Sequence, residues 1–380
     1  MICRLDRISA SLGALFMLAG LIGCVATTQP PSAQIASSAM TISRFVPASD
    51  PSFRFEGRFD FSDPVAPVVV WAGSRIGIDF EGSQLALRFG EAKEQNFFNV
   101  EVDGATTIVA LNHGSPAQQI NVLLPMGPDR HRLVIVKRSE GAKGQARFLG
   151  VEIAAGARVW TSPAPHFKLR MEYFGDSVTV GACNEDGAVD QWDDFRTHNH
   201  ALSYATLTSR NFQADHRAMA VSGMGLVLGY VDVKAGQVWD KIYARADSAR
   251  ADLKSWQPDV AFVNLGENDD SFSRNQSLVF PAADYRAAYV ALVRAIRFAY
   301  PRAQIVLLRG GMWGGAKSQP LIEAWTKAVQ ELEAGDAAIS HYVFTHWSEL
   351  HPRVSDDRAM AAELTSWLKR QPFMTRYLEN

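Results

Sequence analysis

The period of the hydrophobic pattern changes once along the chain, near Leu169, and that change limits the folds open to it. From about Phe45 to Trp160, short runs such as "VVVWAG", "IGIDFEG", "LALRFG", "FFNVEVDG", "HRLVIVKRSEG" and "FLGVEIAAG" alternate in polarity and end at Gly-containing turns. Strands of that length and spacing predict an antiparallel β-sandwich of jelly-roll type over residues 45–160, with Trp71, Phe97 and Phe98 in its core or on its sheet faces. From Leu169 onward, short buried-strand candidates ("LRMEYFG", "DVAFVNLG", "AQIVLLRGG") alternate with helical periodicity. Tyr285, Tyr289, Leu292 and Ile296 recur on one helical face that Pro301 stops. Strand–helix–strand units build a parallel sheet flanked by helices, so residues 165–380 are expected to form an α/β domain. Two domains suit a chain of 380 residues. In parallel sheets ligands collect beyond the carboxyl ends of the strands, where Gly175-Asp176-Ser177 and Gly266-Glu267-Asn268-Asp269 both fall.

The first 24 residues read as a secretory signal: Arg4 and Arg7 precede an apolar run from Ile8 to Ile22 too short to span a bilayer comfortably. The run ends in Leu21-Ile22-Gly23-Cys24, similar to a bacterial lipobox, so Cys24 is the expected lipidation site. Val25 follows it rather than the Asp of inner-membrane retention, which points to a cell-envelope protein anchored in the outer membrane. Residues 25–44, rich in Ala, Ser, Thr and Pro, have too little apolar surface to fold and read as a tether. A net charge of −2 without a dense Lys/Arg stripe argues against a nucleic-acid partner. After processing, Cys183 has no intramolecular disulfide partner and reads as a small packing residue.

Ser177 is either a turn former or a nucleophile. A serine nucleophile needs a histidine base and donors aimed at the oxyanion. In "WSELHPRVSDDRAMAAELTSWLK", His351 precedes a helix whose Met360, Leu364, Trp367 and Leu368 form one apolar stripe, with Ser355 as its N-cap; His346 is the competing base. In "AVSGMGLV", Gly225 or Gly223 can bring a backbone N–H close, and Asn268 in "NLGENDD" adds an amide donor. The loop "EDGAVDQWDDFRTHNHALSY" holds His198, His200, Asp193 and Asp194, but no spacing matches a metal-ligand set, so it reads as a polar loop beside the site. Trp192 in that loop and Trp313 in "RGGMWGG" are candidate sugar-stacking platforms, or they pack locally.

Ser177 in "GDS", Gly225 in "SGMGL", Asn268 in "GEND" and His351 in "HP" resemble, in order, the four blocks of the SGNH (GDSL-type) hydrolases. With the sandwich runs that precede them, they resemble more narrowly carbohydrate esterase family 2, over about residues 54–370. The resemblance implies a serine esterase that removes O-acetyl groups from xylan- or glucomannan-type polysaccharide. Its nucleophile is Ser177, its base His351, and its oxyanion donors Ser177, Gly225 and Asn268, with Asp176 adjoining substrate and no metal or cofactor. Other SGNH activities (peptidoglycan O-acetyl esterase, lysophospholipase, thioesterase) and a non-catalytic carbohydrate-binding lipoprotein are the alternatives. Many SGNH enzymes place an Asp three residues before the histidine, where this chain has Ser348. Members of the narrower family work with a Ser–His dyad, so Ser348 Oγ or a nearby main-chain carbonyl is expected to accept from the His351 ring, with Glu349 pointing elsewhere.

Overall fold

The computed structural model describes residues 43–126, 129–142 and 144–378. The signal segment, Cys24 and residues 25–42 of the tether lie outside the described residues.

Two antiparallel sheets form first along the chain, from β1 (Ser43–Pro47), β2 (Arg54–Glu56), β3 (Phe59–Asp60), β4 (Val68–Val69), β5 (Arg75–Glu81), β6 (Leu85–Glu94), β7 (Asn96–Val102), β8 (Ala105–Leu111), β9 (Gln118–Val122), β10 (Arg130–Lys137), β11 (Gly144–Ala154) and β12 (Val159–Trp160). One sheet runs β3-β4-β11-β6-β9 with β1 also on β11; the other runs β12-β5-β10-β7-β8 with β2 also on β5. Their inner faces close a core containing Ile78, Phe80, Phe89, Phe98, Leu133 and Phe148. Between β7 and β8, Asp103 (φ 52°) and Gly104 (φ 86°) both take the left-handed backbone that a tight hairpin turn demands, which is why Asp-Gly stands there. β1 begins at Ser43, inside the segment read as tether, and pairs Ser43 with Ala154.

The second half begins with β13 (Leu169–Gly175), α1 (Ser177–Val180), α2 (Tyr204–Asn211), β14 (Ala214–Ala220), α3 (Ala235–Val238), β15 (Val260–Asn264) and α4 (Glu267–Asn275). It continues through α5 (Ala282–Ala299), β16 (Gln304–Arg309), α6 (Trp313–Lys317), α7 (Gln319–Gly335), β17 (Ile339–Val343), α8 (Val354–Lys369) and α9 (Thr375–Leu378). Its parallel sheet runs β14-β13-β15-β16-β17, so the strand order reverses between β13 and β15. Alternation along the strands sends Phe174, Ala261 and Val263 to one face, under α5 and α7, and Met171, Tyr173 and Phe262 to the other, under α2 and α8. The predicted stripe of α5 is buried as expected. That of α8 is buried at Met360, Leu364 and Leu368, with Trp367 half-buried. Ser355 is not its N-cap: Arg353 occupies that position, and the Asp356 carboxylate accepts the Arg353 N–H at 2.8 Å, a stronger, charged acceptor.

Each half has a core of its own, and the two are joined. The described residues form one compact unit. Val68, Val70 and Trp71 of the sandwich join the α5/α7 side of the parallel-sheet core, with Trp71 Nε1 donating to Ile242 O at 2.8 Å. A buried ion pair, Arg58–Glu172 at 3.1 Å, also crosses the junction.

Candidate active site

The reversal of strand order opens a crevice beyond the carboxyl ends of β13 and β15, and both "GDS" and "GEND" are placed there by the strands that precede them. Ser177 is the first residue of α1, after Asp176 as N-cap. At the first helical position its N–H has no intrahelical acceptor and remains free for use as a donor. Gly175 allows the sharp exit from β13, since a Cβ there would lie 2.1 Å from Thr179 Oγ1.

His351 reaches Ser177 from the loop between β17 and α8. Its Nε2 lies 2.8 Å from Ser177 Oγ, and the ring is 4% exposed. Its Nδ1 lies 2.8 Å from Asp190 Oδ2, which also accepts the His351 backbone N–H at 3.2 Å. A carboxylate can only accept, so Nδ1 carries the proton and Nε2 offers its lone pair to the serine hydroxyl. Asp190 Oδ1 accepts from Arg353 Nη1 at 2.7 Å. Burial alone would raise the Asp190 carboxyl, but hydrogen bonds from His351 and Arg353 outweigh it and hold it at about 2.

Asp190 therefore occupies the orienting position expected of Ser348 Oγ or a nearby main-chain carbonyl. The backbone N–H of Ser348 donates to Gly311 O at 3.0 Å, tying the histidine loop to the end of β16, and Glu349 is exposed. His346 is engaged elsewhere, with Asp356 at 2.8 Å. Asp190 lies 161 residues from His351, inside the acidic loop quoted above, so no local spacing could have paired them. Arg353 fastens that loop down: besides Asp190 it donates to Gly187 O, Cys183 O and His351 O.

On the other side of Ser177, Asn268 is buried with Nδ2 donating to Asp176 Oδ2 and Met224 O, both at 3.1 Å. Asp176 also accepts from Val178 N; burial, with the neighbouring Glu267 charge, pushes its carboxyl up to about 8. Gly223 and Gly225 share the loop after β14, and each is required for a different reason. Gly223 has φ +77°, whereas a Cβ on Gly225 would lie 1.8 Å from Leu228 O and 2.6 Å from Asp269 Oδ2. The Asp269 carboxylate gathers that loop by accepting the N–H groups of Leu226, Val227 and Leu228 at 2.7–2.9 Å.

The polar loop does not assemble its histidines and aspartates into one cluster. His200 Nε2 faces His216 Nε2 at 2.8 Å while its Nδ1 donates to Val180 O. His198 Nε2 lies 3.5 Å from Cys183 Sγ, Asp194 caps the turn at Arg196, and Asp193 is exposed. Burial keeps His200 down at about 4 and pushes the Cys183 thiol up, so the latter is no thiolate nucleophile. Trp192 is 49% exposed and meets the His351 ring edge-on, centroids 4.2 Å apart. Trp313 is half-buried, and the Arg274 guanidinium covers its ring at 4.3 Å.

An imidazole oriented by a buried carboxylate and aimed at a serine hydroxyl, on a parallel α/β sheet, is the arrangement of a serine hydrolase. The chain belongs to the GDSL-like Lipase/Acylhydrolase family, whose profile matches residues 173–363, and residues 55–163 match the Carbohydrate esterase 2 N-terminal family. It is 28% identical over 332 residues to the cellulase/esterase CelE of Acetivibrio thermocellus, covering 85% of this chain and 40% of that much longer protein. It is also 28% identical over 328 residues to an acetylxylan esterase / glucomannan deacetylase of Cellvibrio japonicus, covering 82% and 87% of the two chains. Among solved structures it resembles a family two carbohydrate esterase from Clostridium thermocellum in complex with cellohexaose, with TM-score 0.73 and 26% identity over 83% of this chain and 98% of that one.

Proposed function

We propose that the protein removes O-acetyl groups from xylan- or glucomannan-type polysaccharide through an acyl-enzyme on Ser177. The carrying observation is the 2.8 Å Ser177–His351 contact, oriented by Asp190 and opening beside the half-exposed Trp192. His351 takes the hydroxyl proton as Ser177 Oγ attacks the acetyl carbonyl. The oxyanion meets the Ser177 N–H, the N–H of Gly225, and Asn268 Nδ2 as it exchanges one of its two 3.1 Å bonds for the developing charge. His351 then protonates the departing sugar oxygen, activates water against the acyl-enzyme, and acetate leaves. Trp192 offers the face on which a sugar ring stacks, and Asp176 supports the site from below as the partner of Asn268. The sandwich family match and the names of the carbohydrate-active relatives support the sugar substrate. The lipobox-like segment supports a lipid anchor on Cys24 that holds the enzyme at the cell envelope, in the outer membrane.

The test is acetate release from 4-nitrophenyl acetate and from acetylated xylan and glucomannan, with S177A as control. Turnover of both, lost in S177A, is expected; turnover of the aryl ester alone rejects the polysaccharide. Incorporation of labelled palmitate, lost in C24A, tests the anchor.

A further inference from the structure

The segment Lys137-Arg138-Ser139-Glu140-Gly141 begins at the last residue of β10 and leads out of that strand. Extended backbone alternates its side chains. Lys137 and Ser139 turn into the sandwich, with Lys137 Nζ donating to Asn96 Oδ1 at 2.8 Å and to Ser139 Oγ at 2.9 Å. Arg138 and Glu140 turn toward the hydrolase half. Arg138, 2% exposed, donates to Arg196 O at 2.8 and 3.1 Å and pairs with Glu185, gripping the loop that carries Asp190 and Trp192. Glu140, 1% exposed, accepts the Ser222 N–H at 2.6 Å.

Ser222 opens the loop that carries Gly223 and Gly225. The far side of that loop is held by the Asp269 carboxylate, and Tyr230 N closes it on Gly223 O at 2.8 Å. The glycines thus hang between two carboxylates, one from each half of the protein. We propose that Glu140 is a positioning residue for the oxyanion loop: the sandwich half, through this carboxylate, fixes the direction of the Gly223–Gly225 N–H groups relative to Ser177. The inference rests on the esterase reading above.

A buried carboxylate on a backbone N–H forms a charge-assisted bond, stronger than a neutral one. Without it the Ser222–Gly223 peptide gains the rotational freedom that glycine permits. An oxyanion donor acts only when it is already aimed at the charge that develops, so misdirection weakens the transition state and leaves ground-state binding alone. The signature is loss of kcat at constant KM.

Wild type, S177A, E140A, E140Q and E140D are compared on 4-nitrophenyl acetate, with thermal melting of each. E140A is expected to lose about 10- to 100-fold in kcat, part of what deleting a donor outright costs, with KM within about twofold. E140Q, whose amide oxygen still accepts from Ser222, recovers most of the loss. E140D keeps the charge near Lys137 but falls one methylene short of Ser222; it loses kcat like E140A and carries the test if E140A does not fold. Wild-type kcat in both E140A and E140D, or E140Q as impaired as E140A, overturns the proposal. Wild-type turnover abolished by S177A stands on its own, so loss of the esterase reading, seen as an inert wild type, is distinguishable from loss of this inference.

Discussion

Replacing Asp190 by Asn tests the geometry of the site most directly. The exchange keeps volume and removes the charge that faces His351 Nδ1 at 2.8 Å, in a pair whose side chains are 4% and 7% exposed. In the transition state the imidazole becomes an imidazolium. A unit charge about 4 Å from a carboxylate in a medium of effective dielectric about 20 gains about 4 kcal/mol. Arg353, on the other carboxylate oxygen at 2.7 Å, already draws on that charge, which lowers the figure toward about 2 kcal/mol. At about 1.36 kcal/mol per decade, D190N should lose about 30- to 1000-fold in kcat on 4-nitrophenyl acetate with KM nearly unchanged. An amide that turns its NH₂ toward Nδ1 would fix the wrong tautomer and push the loss to the upper end. S348A and E349Q serve as controls, since neither side chain is at the ring, and both should stay within about twofold of wild type. Activity of D190N within threefold of wild type, or S348A as impaired as D190N, would refute the assignment of Asp190 as the orienting acid.

W192A removes a half-exposed ring lying against His351 and should raise KM for acetylated polysaccharide severalfold more than for the aryl ester; equal effects on the two substrates would reject the platform. G225A places a methyl group 1.8 Å from Leu228 O, so the oxyanion loop must move and kcat should fall about 100-fold or more, measured beside a G223A variant whose penalty arises from φ +77°. R58M leaves Glu172, fully buried, without its cation across the junction; a loss of about 3–5 kcal/mol in denaturant unfolding is expected, and a loss under 1 kcal/mol would show that the pair adds nothing. Burial holds His200 at about 4 against an ordinary 6.5, so as pH falls from 6.5 toward 4 the unfolded chain takes up a proton that the folded one refuses. Stability from this group is full above pH 6.5 and declines by about 1.4 kcal/mol per pH unit below it. Melting temperature followed over that window checks this, and an H200N variant should flatten the slope.

The architecture was legible where burial made the pattern strong. The central strands β15 and β16 are nearly continuous apolar runs, β13 is apolar but for Arg170 and Glu172, and the buried face of α5 repeats at helical spacing; these signals are consequences of contact with the core. The flanking strands β14 (ADHRAMA) and β17 (ISHYV) carry His and Arg or Ser and His among their apolar residues, so neither stood out. In the sandwich, β8 and β9 lie at the edges of their sheets and leave most of their residues exposed or half-buried, the first four of β8 all exposed, which weakens the pattern in the same way. Ser177, Asn268 and His351 were readable because each sits directly beyond or before a strong element. Asp190 was not, because the partners that place it beside His351 are distant in sequence: Arg353 from the histidine loop holds its carboxylate, and Gln95 of the sandwich donates to Asp193 O at 2.6 Å.

That difference bears on why the sandwich is fused to the hydrolase half at all. A parallel sheet can place Ser177 and Asn268 by itself, since strand ends and helix starts fix them. The loops bearing Asp190, Trp192 and the oxyanion glycines extend past the sheet, where backbone polar groups need partners that the α/β fold does not supply. Gln95, Arg138 and Glu140 supply several of them from one edge of the sandwich, and Val68, Val70 and Trp71 lock that edge into the parallel-sheet core. Carbohydrate binding is thus not needed to account for the sandwich, which anchors both loops that complete the site.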